Sequence, residues 1–150
     1  MSLDTRHDSA DDSPGLLLWQ VTNRWQAAQR AALKPFELTH VQFVLLATLT
    51  YLQESGAVTQ KALAGMAATD PMMTSQVLRT LEGRDLVHRP PHPTDRRARA
   101  VAVTESGREL VNRAVIAVED CDATFFAALG GGLPAFTTAL RTIAEARRSG

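Results

Sequence analysis

Apolar residues recur at helical spacing along most of the chain. Leu17, Leu18, Val21, Trp25, Ala28 and Ala32 follow one another at intervals of one, three or four, which predicts a helix over 14–34. Pro14 suits its start, where an N–H would go unbonded anyway, and Pro35 marks its end. A second helix opens at Thr39, which forms a T-x-x-Q capping box with Gln42. Phe43, Val44, Leu46, Leu49 and Leu52 make it apolar on most sides, as befits a central helix. Thr59 heads a short alanine-rich helix in "TQKALAGMAA". In "TDPMMTSQVLRTLEGRDLV", Asp70 is a cap and Pro71 a first helical residue. Met73, Val77, Leu78 and Leu81 are expected to face inward from this fourth helix. Met72, Ser75, Gln76 and Arg79, at i, i+3, i+4 and i+7, are expected to face outward.

The period then changes. Leu86 to Arg89 reads as a short strand, and Arg99, Val101 and Val103 alternate with alanines as its return strand. Between them, the prolines of "PPHPTDRR" exclude both a helix and a central strand. Thr104 caps a long fifth helix carrying Leu110, Val111, Ala114, Val115, Val118, Phe125 and Phe126. "GGGLP" at 130–134 is a break with a flexible joint, and a last helix holds Phe136, Leu140 and Ile143. The expected fold is mainly α with a small β-hairpin: a winged helix-turn-helix over about 39–103, flanked by helices at about 14–34 and 105–148. Residues 14–150 form one domain, after a disordered acidic tail at 1–13.

Charge sharpens this picture. Sixteen basic and sixteen acidic residues cancel, which argues against coating nucleic acid or membrane through bulk charge. Yet Arg89 to Arg99 holds four arginines against one aspartate. The single cysteine, Cys121, excludes an internal disulfide and fits a reducing compartment. No signal peptide appears and no apolar run nears the roughly 20 residues that span a bilayer, so a cytoplasmic protein with no membrane partner is expected. There is no G-x-S-x-G, P-loop, H-E-x-x-H or dinucleotide fingerprint, so neither an enzyme nor a cofactor is expected.

Two helices followed by a basic hairpin suit DNA. A helix fits the major groove, where base edges present distinguishable donors and acceptors. Thr74, Ser75, Gln76 and Arg79 are the candidate recognition residues, since glutamine pairs with adenine and arginine with guanine. Arg96 and Arg97 of the wing are candidates for the electronegative minor groove. Asp95, which would repel phosphate, is expected to hold the Arg97 side chain. Thr59, Gln60 and Lys61 are candidates for the phosphate backbone, or for capping and solvating the third helix.

"DRRARAVAVTESG" resembles the D-x-R-(x)5-L-T-x-x-G signature of the MarR (multiple antibiotic resistance regulator) transcription factors, through Asp95, Arg97, Thr104 and Gly107. Val103 replaces the usual leucine, and Asp85 stands where the family usually has glycine. The resemblance covers about 14–148. It implies a homodimer joined through the first and last two helices, a palindromic operator on double-stranded DNA, and a repressor that responds to a small aromatic or phenolic ligand. Trp19, Trp25, His40 and Phe43 are the candidate pocket residues; each has ordinary core packing as its alternative role. His88 and His92 lack a helix or a carboxylate partner, so no metal site is expected. Cys121, beside Glu119, Asp120 and Asp122, reads as a packing residue. The competing function is a winged-helix protein-interaction module that does not read DNA, which the neutral net charge favours and the cationic wing opposes.

Overall fold

The computed structural model describes residues 2–148; Met1, Ser149 and Gly150, at the outer ends of the expected tail and domain, lie outside the described residues. In chain order the elements are α1 Pro14–Leu33, α2 His40–Gln53, β1 Val58–Thr59, α3 Gln60–Ala67, α4 Pro71–Gly83, β2 Val87–His88, β3 Ala100–Val103, α5 Glu105–Phe126 and α6 Leu133–Arg148.

Side-chain caps start the helices where the sequence puts them. Thr39 Oγ1 accepts from Gln42 N at 3.2 Å while Gln42 Oε1 accepts from Thr39 N at 3.0 Å, completing the capping box. Ser13, Thr59, Asp70 and Thr104 each accept a backbone N–H three residues on. Each such cap contributes about 1 kcal/mol. α2 runs through the centre, with Leu45, Leu46 and Leu49 fully buried against Leu33 of α1, Leu63 of α3, and Leu78 and Leu81 of α4.

The expected hairpin is a three-stranded antiparallel sheet in the order β1-β3-β2. Val58 pairs with Val101 and Thr59 with Ala100; Val87 pairs with Val103 and His88 with Ala102. The added strand, β1, is two residues long, too short to show a period. It makes β3 central, which is why Ala100 is buried together with Val101 and Val103. A Pro91–Arg99 bridge extends the wing beyond β2.

Other departures have local causes. Residues 2–13 include a 3-10 turn at Ala10–Asp12, capped by Ser9 Oγ accepting from Asp11 N, within the tail expected to be disordered. α1 and α2 are joined by a second 3-10 turn, Lys34–Phe36, which Glu37 ends in the left-handed conformation. The 130–132 glycines close a 3-10 segment, Ala127–Gly132, in which Gly130 (φ 55°, ψ −122°) sets the kink between α5 and α6. The stretch Glu105–Arg148 is apolar enough by composition to cross a bilayer, but Gly130 breaks it into two helices. The run is inconspicuous in the sequence because alanines, threonines and glycines separate the large apolar residues. No described residue of α6 is buried. Phe136 meets Phe126 of α5 at 5.8 Å, while Leu140 and Ile143 are exposed.

Candidate nucleic-acid interface

α4 carries its buried residues Thr74, Leu78 and Leu81 at i, i+4 and i+7. This phase corrects the candidate list. Thr74 is fully buried, with Oγ1 2.7 Å from Thr69 Oγ1 and donating to Asp70 O at 2.8 Å. It ties the α3–α4 turn to α4 and does not reach a ligand. Met73, expected inward, is exposed. Gln76 and Arg79 are exposed and Ser75 half-exposed, as a reading face requires.

The wing is held by its own polar atoms. His92 Nδ1 accepts from Thr94 N at 3.2 Å and Asp95 N at 3.0 Å. Asp95 Oδ1 accepts from the backbone N–H of Arg97 at 3.0 Å. Asp95 thus fixes the turn through the backbone, as aspartates at turns do, where a bond to the Arg97 guanidinium was expected. Arg96 and Arg97 are both exposed. Arg89 belongs to the body and not to the cationic tip. Its Nη2 lies 3.5 Å from Ser75 O, its Nε 3.9 Å from Glu82 Oε1, and only 23% of its side chain is exposed. It braces the base of the wing against α4.

β1–β3 pairing brings α3 to the wing. Gln60 N donates to Arg99 O at 2.7 Å. A groove of about 950 Å³ runs between the start of α3, the α3–α4 turn and the wing. Thr59, Gln60 and Lys61 line one side, with Asp95, Arg97 and Arg99 opposite. In the sequence these two groups stand apart, and Arg99 reads as the start of a strand at the end of the cationic stretch. Only the register Thr59–Ala100 places Arg99 beside Gln60. Thr59 Oγ1 is engaged as the α3 cap, accepting from Ala62 N at 3.0 Å.

The signature residues behind the wing are structural. Thr104 Oγ1 accepts from Gly107 N at 3.0 Å and donates to Asp85 O at 2.7 Å. Asp85, which stands where the family usually has glycine, takes φ 60°, the left-handed conformation aspartate tolerates. A side chain on Gly107 would collide with the Leu86 carbonyl oxygen.

The four pocket candidates do not form one cluster. Trp25 and His40 meet edge to face at 4.9 Å. Asp122 Oδ1 accepts from Trp25 Nε1 at 2.8 Å and from Gln29 Nε2 at 2.7 Å, joining α1 to α5. Gln29 is fully buried and its Oε1 has no hydrogen-bond partner among the described residues. Burial and the Arg30 charge lower the His40 pKa, against a raising effect from Asp122. Phe43 is buried in the main core, and Trp19 is 68% exposed on another face of α1. Burial and the Asp122 charge raise the pKa of Cys121, which is half-buried.

A family model for the MarR family matches residues 38–98. The HTH-type transcriptional regulator YdcH of Bacillus subtilis (strain 168) is 44% identical over 129 residues, 85% of this chain and 88% of that one. The chain belongs to the MarR family. The HTH-type transcriptional repressor Rv2887 of Mycobacterium tuberculosis (strain ATCC 25618 / H37Rv) is 36% identical to this MarR-family chain over 121 residues, 80% of it and 85% of the relative. CouR from Rhodococcus jostii RHA1, solved bound to p-coumaroyl-CoA, superposes with a TM-score of 0.82 at 27% identity, covering 92% of this chain and 96% of CouR. CouR bound to a 23-mer DNA duplex gives a TM-score of 0.81 at 25% identity, covering 95% and 99%. This MarR-family protein is a DNA-binding transcriptional regulator.

Proposed function

We propose that the protein is a homodimeric repressor, acting in the cytoplasm on a palindromic operator and released by a small aromatic or phenolic ligand. The observation that carries this reading is the groove lined by Lys61, Arg97 and Arg99, which reaches Pro71 at the start of α4, the helix that exposes Gln76 and Arg79 and half-exposes Ser75. A phosphate strand lying along this groove meets three cations while the α4 face enters the adjoining major groove. Arg96, outside the groove lining, reaches the flanking minor groove.

Dimerisation is supported by α6, whose Leu140 and Ile143 are exposed, and by α1, whose Leu16, Leu17, Leu18, Trp19 and Val21 are exposed. Apolar surface of this extent marks an interface. A two-fold axis makes the operator palindromic and sets the half-sites about one helical turn apart. The Trp25–Asp122–Gln29 junction, with His40 of α2 against Trp25, joins a dimerisation helix to the DNA-binding lobe. A ligand that parts these helices favours a spacing of the two α4 helices that DNA does not match.

Hydroxyl-radical footprinting on a duplex selected from a random pool tests this. Two protected half-sites related by a two-fold axis are expected, with protection lost when a panel of phenolic acids and their thioesters contains the effector. A single asymmetric footprint, or a monomer in sedimentation, contradicts it.

A further inference from the structure

The outward stripe of α4 is not uniformly polar. Met72, Gln76, Arg79 and Gly83 stand at i, i+4, i+7 and i+11, opposite the buried Thr74, Leu78 and Leu81. Met72 is 71% exposed. It lies in the first turn of the helix, directly after Pro71, on the same line as the two polar residues best placed to read bases. In a recognition helix it is the N-terminal residues that come closest to base edges.

We propose that Met72 is a specificity-determining residue that reads the 5-methyl group of a thymine in each half-site. The proposal rests on the DNA-binding reading of α4 and adds a contact of a different chemistry to it. Of the groups that base pairs display in the major groove, the thymine methyl is the one alkyl group. A long, unbranched thioether is suited to it, because its flexible, polarizable chain shapes itself to a small apolar target. Gln76 and Arg79 have donors to place, and Met72 has none. Pro71 and the Asp70 cap, which accepts from Met73 N at 2.9 Å, fix the backbone from which the side chain projects.

The full-length protein is first used to select a duplex from a randomised pool. Thymines of the selected site are then replaced, one symmetric pair at a time, by deoxyuridine, which removes the methyl and leaves every hydrogen-bonding group in place. Affinity is expected to fall about fourfold per half-site at one position, the factor that burial of one methyl-sized group confers. Met72→Ala should bind the thymine duplex weaker by the same factor and show no response to deoxyuridine at that position. Met72→Leu, which keeps an apolar reach, should retain most of the response. Because Met72 is exposed, the circular-dichroism melts of the variants should match that of the parent.

A site with no thymine in the half-site, or with no position sensitive to loss of the methyl, overturns the proposal. So does a deoxyuridine penalty that persists unchanged in Met72→Ala. Failure to enrich any sequence overturns it together with the DNA-reading role of α4, which the other outcomes leave standing.

Discussion

Gly107→Ala is expected to destabilise the protein although it improves helix propensity. Gly107 lies in the first turn of α5, where that turn crosses the start of the wing. A Cβ at this position overlaps the Leu86 carbonyl oxygen, and lies 2.8 Å from Val103 Cγ2 and 3.0 Å from the Leu86 carbonyl carbon. Two of these three atoms are backbone and do not swing aside. Overpacking of this kind costs about 1–3 kcal/mol, and the backbone contact puts this case at the upper end. The same Leu86 oxygen accepts from Thr104 N at 3.0 Å. Displacing it weakens a bond worth about 1 kcal/mol. Alanine returns up to about 1 kcal/mol through helix propensity. The net loss is about 2–3 kcal/mol, or about 5–10 °C in Tm for a chain of this size. Thermal melts at fixed protein concentration measure it, since the Tm of a dimer depends on concentration. Gly65→Ala is the control, because Gly65 is within α3 and a Cβ there would meet nothing within 4 Å; it should gain about 0.5–1 kcal/mol. Two equal and small shifts would show that the α5–wing contact is not close, and the account of the T-x-x-G signature would fail.

Removing the Gln76 or Arg79 side chain should change which operator sequences rank highest, whereas Arg97→Ala should weaken all of them alike; a binding panel of single-base variants separates the two. Leu140→Asp and Ile143→Asp together should convert the dimer to a monomer at micromolar concentration in sedimentation and abolish two-fold footprints. For His40 the sign is set by its lowered folded pKa, caused first by burial and then by Arg30: the unfolded chain binds the proton more readily. The stability held by neutral His40 is therefore present above about pH 6.5 and lost as pH falls through the folded value. The Tm of His40→Gln should fall less over that acid window than the parent's. The raised pKa of Cys121 leaves less thiolate, so iodoacetamide should modify it more slowly at pH 7.5 than an unhindered thiol.

The helix starts were legible because capping is local chemistry. Thr39 with Gln42, Asp70 with Pro71, and Thr104 three residues before Gly107 all act within one turn of chain. The division of α4 was legible except at the neighbouring Met73 and Thr74, which exchange faces. An amphipathic pattern sets the helical phase only as well as its boundary positions are apolar. Threonine at position 74 read as polar and therefore outward, although its hydroxyl is satisfied by Asp70 and Thr69 inside. What the pattern could not show is what pairing creates. β1 has two residues and no period, yet it joins Lys61 to Arg97 and Arg99 around one groove. Arg89 looks like the other wing arginines in sequence; its turn toward Ser75 and Glu82 depends on where β2 leaves the sheet. Of the four aromatic candidates, burial alone divides Phe43 from the Trp25–His40 pair.

The central claim is that the wing and the α4 face bind DNA together. Fluorescence anisotropy of the protein on DNA from its own upstream region, titrated at several salt concentrations beside Arg97→Ala, tests it most directly. Tight binding is expected to weaken steeply with salt, and Arg97→Ala should reduce the magnitude of the log–log slope by about 1 for each protomer as well as lower affinity. Binding with the same affinity and the same salt slope in both proteins would contradict the claim.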